Sequence, residues 1–161
     1  MIILIAILQI GGGFLAMLNV VSVLAGAEGI AAFLSLVFLG LYGFGIAAGV
    51  MLLNGTDRGV RWSTVFQGLQ IPHLLSPIFT YKFASGFHFT FYTGSEGFSF
   101  NFATGFHWLV GLFESINHWQ VGVNAVAVYL FVYLLRHLRQ RSEDEYSRRQ
   151  MPQHISALER S

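Results

Sequence analysis

Two uncharged apolar runs, Ile2 to about Ala27 and Ile30 to about Leu53, fill almost the whole first third of the chain. A helix rises about 1.5 Å per residue, so about 20 apolar residues cross the roughly 30 Å of bilayer hydrocarbon. Each run is long enough to do so, and the pattern predicts an integral membrane protein. Composition agrees: 11% of the 161 residues are charged, against roughly a quarter in soluble domains. Ten of the 17 formal charges lie from Arg136 onward, leaving the preceding chain nearly uncharged.

The chain has no cysteine, which excludes disulfides, thiolate metal sites and a cysteine nucleophile. Ala25-Gly26-Ala27 has the small-residue form of a leader-cleavage site. No positive segment precedes the apolar run, however, and the run exceeds the roughly 7–15 residues of a leader core, so it is expected to be a retained span. The arginine-rich tail is interleaved with acids, which gives no nucleic-acid partner.

Two further segments have span-like composition, one over about 61–82 between Trp62 and Tyr81-Lys82, the other over about 117–136 from Trp119 to Arg136. The expected fold is an all-α integral membrane protein. It is a four-transmembrane-helix bundle with an extracytoplasmic β-hairpin and a short interfacial helix between spans three and four. Residues 1–138 form the membrane domain, with 83–118 outside the bilayer, and 139–161 form a charged cytoplasmic tail. Arg58 and Arg61 follow span two, and Arg136, Arg139 and Arg141 follow span four. The loops after spans one and three hold one positive residue, Lys82. The positive-inside rule then puts both termini in the cytoplasm, and a bacterial inner membrane is the expected bilayer.

Between spans three and four, Phe87, Phe89 and Phe91 alternate with His88, Thr90 and Tyr92. After Thr93–Gly97, Phe98, Phe100 and Phe102 alternate with Ser99, Asn101 and Ala103. Period-two alternation on both sides of a glycine-containing turn predicts a hairpin over Phe87–Ala103 that buries its phenylalanines. Residues 106–118 have helical spacing, with Phe106, Leu109, Leu112, Phe113 and Ile116 on one face.

Three groups of residues are candidates for function. His107, Glu114 and His118 share the polar face of that expected surface helix, with His88 nearby. Histidine and carboxylate at such spacing can ligate a divalent ion such as zinc, although a solvated polar face gives the same pattern. Ser63, Gln67, Gln70 and His73 descend span three, with Gln9, Asn19 and Asn124 as partners from other spans. Polar groups in a span face the bundle interior or a cavity, so this set forms either a polar pathway or an interhelical packing network. Gly45 and Gly49 form a G-x-x-x-G that lets helices approach closely.

No cofactor is expected beyond a possible divalent metal. No span carries an acidic pair, and His73 is the one embedded histidine. The expected function is a non-catalytic membrane subunit or scaffold, partnered by lipid and by itself or a larger membrane complex. The alternatives are a transporter, channel or membrane-embedded enzyme built on the polar stripe around His73, and an external metal-dependent site.

Overall fold

The computed structural model describes residues 1–95, 97–112 and 118–158. In chain order the elements are α1 (Ile2–Leu24), α2 (Gly29–Leu53), α3 (Asp57–Leu69), β1 (Pro72–Leu75), β2 (Phe79–Gly94), β3 (Gly97–Leu112), β4 (Gln120–Asn124) and α4 (Ala125–Leu158). The four-span all-α bundle is therefore not the fold. About a quarter of the residues form an antiparallel sheet, and among the described residues two helices, α1 and α2, are long and apolar enough to cross a membrane.

These two helices pack antiparallel through their glycines. A Cβ on Gly13 would lie 2.9 Å from Ile46, and one on Gly49 would lie 2.8 Å from Ile10. Gly45 faces the Phe66 ring of α3, which leaves no room there for a side chain. The G-x-x-x-G is thus occupied inside the molecule. Asp57–Leu69 then returns along α2, capped by Thr56, whose Oγ1 accepts from Gly59 N at 3.0 Å.

The expected third span fails at its prolines. Pro72 lacks an amide hydrogen and drives Ile71 toward extended backbone, so the helix cannot continue. It ends at Leu69, and Pro72 instead takes the first position of a strand, where its missing donor costs little. The expected fourth span begins as a strand because its first residues alternate: Gly122 and Asn124 are buried while Val121 and Val123 are exposed. Asn124 Oδ1 accepts from Ala127 N at 3.3 Å and caps α4, which continues unbroken past residue 138 and through Pro152.

The hairpin is longer than expected. Gly94 pairs with Gly97 around a two-residue connection, and the ladder continues to Phe79 opposite Leu112. Residues 106–112 therefore form strand rather than the expected surface helix. Their spacing suits a helix, but β2 offers a ready ladder, and Trp108 and Val110 then pack with Phe83 and Tyr81 against the helices while Leu109 lies on the opposite face. Residues 113–117, the rest of that expected helix, lie outside the described residues.

Gly86 and Gly105 stand opposite each other with φ of 88° and 119°. Side chains other than glycine rarely adopt such backbone, and here it lets both strands turn a corner together. The registers show the consequence. Leu74 pairs with Tyr81 and also with Val121, which pairs with Thr93. The two halves of β2 thus come to opposite sides of the β1–β4 pair, and the sheet rolls up around its even-numbered β2 residues.

Candidate functional site: a polar interior

The rolled sheet reverses the polarity expected of the hairpin. Its inner face buries Thr80, His88, Thr90 and Tyr92, together with His73 from β1. Its outer face carries the phenylalanines, with Phe98 at 71% exposure, Phe100 at 69% and Phe102 at 65%. The alternation was legible, but the face that turns inward is the polar one. Rings on the outside still find one another: Phe91 stacks on Phe98 at 6.0 Å, and Phe89 lies 4.6 Å from Phe91.

Inside the roll, His73 Nδ1 and the Tyr92 hydroxyl are 3.1 Å apart, and the Lys82 ammonium lies 5.9 Å from the centre of the Tyr92 ring. His73 is fully buried on a strand, not on the helix expected of it. On the outer face, the Tyr81 hydroxyl donates to Leu69 O at 2.7 Å. Burial raises its pKa above the ordinary tyrosine value, so it remains a donor.

Below the roll, four of the six expected polar residues, Gln9, Gln67, Gln70 and Asn124, lie around one small space, on α1, α3, the end of α3 and the start of α4. With Ser85, Phe87 and neighbouring apolar side chains they line a cavity of about 20 Å³, enough for one water molecule. The orientation of both terminal amides follows from backbone contacts. Gln9 Nε2 donates to Gly45 O at 2.8 Å, and Gln70 Oε1 accepts from Ser85 N at 2.8 Å. Gln9 Oε1, Gln70 Nε2 and Ser85 Oγ, all buried, are left without a protein partner. An acceptor, a donor and a hydroxyl at the edge of so small a space suit a single water molecule or small polar group. None of the lining residues is titratable.

His73 is not among the residues lining this cavity, and Asn19 is elsewhere, exposed on α1 with its Oδ1 accepting from Trp108 Nε1 at 3.5 Å. The expected metal set loses its common helix face. His88 lies inside the roll, His118 precedes β4, and His107 takes a strand position opposite Ala84. The His107 side chain and Glu114 lie outside the described residues. Among the described residues, no group of three or more histidine, aspartate or glutamate side chains is placed to hold an ion.

Thr90 and Tyr92 are interior residues that sequence reasoning passed over, and His88 was read there only as a neighbour of the metal set. Their signal was the same alternation, taken with the opposite face inward. No family model matches the chain, and neither does any curated protein or solved structure.

Proposed function

We propose that the protein is a small non-catalytic membrane subunit that assembles with itself or with a larger membrane complex. The observation that carries this reading is the row of exposed phenylalanines on the hairpin arm, more aromatic surface than an isolated soluble domain leaves uncovered. Gly45 and Gly49 are taken up by contacts within the chain, whereas the aromatic row is uncovered.

In this reading α1 and α2 cross a bacterial inner membrane with both termini in the cytoplasm. Support comes from the clustering of arginines at one end. Arg141 of α4 reaches Asp57 at 2.8 Å and Gly55 O at 2.9 Å, beside Arg58 and Arg61 of α3. Such a basic end belongs on the cytoplasmic side.

The test is the mass of the protein in lipid nanodiscs. The wild type should be associated, and Phe98→Ser with Phe100→Ser and Phe102→Ser should dissociate it without lowering its melting temperature. A wild type that is monomeric and brings no partner from native membranes would defeat the reading.

A second reading, transport or embedded chemistry through the sheet interior, is favoured by one observation, the buried His73–Tyr92 pair with Lys82 beside it. His73→Gln separates the two. A subunit should keep its assembly with that side chain, whereas a proton-handling site would lose activity.

A further inference from the structure

We propose that the outer edge of β3, over Gly97–Thr104, pairs antiparallel with the same edge of a second copy about a two-fold axis at Phe100. The inference rests on the subunit reading and names its partner and geometry.

Among the described residues β3 has one sheet neighbour, β2, so its other backbone edge is unpaired. Helix α1 meets this strand beyond the corner, where Asn19 contacts Trp108. On this stretch both faces are open: Phe98, Phe100 and Phe102 on one, Ser99 and Asn101 on the other. Sheet edges that remain single are commonly guarded by charge or proline. Gly97–Thr104 has neither.

Depth adds to this. A Cβ on Gly12, midway along α1, would lie 2.6 Å from Ser85 Oγ and 2.9 Å from Gly86 N, so the corner of the hairpin sits beside the middle of a span. In hydrocarbon a row of unpaired N–H and C=O groups has no solvent to satisfy it, and open edges are not tolerated there. A transmembrane helix of another protein would cover the phenylalanines but leave that row unsatisfied, because its own backbone groups are already bonded. A strand is required.

The sequence of the edge fits its own copy. Residues opposite each other in an antiparallel pair share a face. With Phe100 on the axis, Phe98 stands opposite Phe102 of the second copy, Phe100 opposite Phe100, and Ser99 opposite Asn101. All three phenylalanines of each strand then meet phenylalanine, whereas an axis at Asn101 would set Phe98 against Thr104. The aromatic row that already joins Phe91 to Phe100 and Phe89 to Phe102 within one chain would run on across four strands. No charge opposes the approach.

The chain has no cysteine, so introduced ones report without background. Two differently tagged chains, one with Ser99→Cys and one with Asn101→Cys, are co-expressed and oxidised in native membranes. The expected result is a 99–101 cross-link several-fold stronger than 99–99 or 101–101, from a protein whose wild type weighs two chains in nanodiscs. Equal yields for all pairs, or self-pairs alone, would overturn the register and the inference. A large assembly with no cross-link on this strand would overturn self-pairing while leaving the subunit reading intact. A monomer that brings no partner from native membranes would defeat both.

Discussion

The α1–α2 pair and the rolled sheet solve the same solvation problem by different means. Both turn many apolar side chains outward and bury polar ones: Gln9 between the helices, and His73, His88 and Thr90 within the sheet. In the helices every backbone bond is made locally, so close contact needs little more than small residues at Gly13, Gly45 and Gly49. A sheet makes its bonds sideways. Its last strand leaves a row open, and rolling up brings β1 against β2 and β4 but still leaves β3 at the margin. The helical half is complete within one chain, whereas the sheet half depends on how its edge is covered.

The sharpest way to break this comparison is to insert a methyl where backbones touch in each half. A Cβ at Gly59 would collide with the Met51–Leu52 backbone of α2, and one at Gly94 would collide with Trp119 O, which holds the hairpin tip. Neither neighbour is a flexible side chain, so Gly59→Ala and Gly94→Ala should each destabilise by about 1–3 kcal/mol or more. Thermal unfolding in detergent reads this. If Gly94→Ala alone were harmless, the sheet would be looser than the helices and the comparison would fail.

Asn124→Ala comes next, because it acts where the halves join. Its Oδ1 accepts from Phe89 N at 3.4 Å and from Ala127 N, so one substitution removes a sheet contact and a helix cap. A loss of about 1–2 kcal/mol is expected in the same assay. Slower hydrogen exchange at Phe89 or Ala127 in the variant would contradict it.

Gln9→Leu should cost about 1 kcal/mol, since the donor to Gly45 O is lost while that carbonyl keeps its helical partner. The variant also fills part of the 20 Å³ cavity, and a gain in stability would show that the polar lining is a burden on the fold. The smallest effect is expected at Arg141→Ala. Its ion pair with Asp57 is 2.8 Å long but solvent-exposed, so the change should stay below about 0.5 kcal/mol and shrink with added salt.

Sequence alone marked α1 and α2 as long and apolar enough to cross a membrane, because length and lack of charge add up residue by residue along one segment. It also marked the alternation of Phe87–Ala103, and it grouped Gln9, Gln67, Gln70 and Asn124 with His73 and Asn19, which the structure places apart from them. Which face of the hairpin turns inward could not be read that way. Alternation fixes that two faces differ, and the surroundings decide which of them is buried. Residues 61–82 and 117–136 misled for a related reason: apolar content is shared by spans and by strands that face outward. There the local stops at Pro72 and Asn124 and the ladder offered by β2 decided the outcome. The corner at Gly86 and Gly105 belongs wholly to tertiary structure, since two glycines 19 positions apart become a hinge only when the register sets them opposite each other.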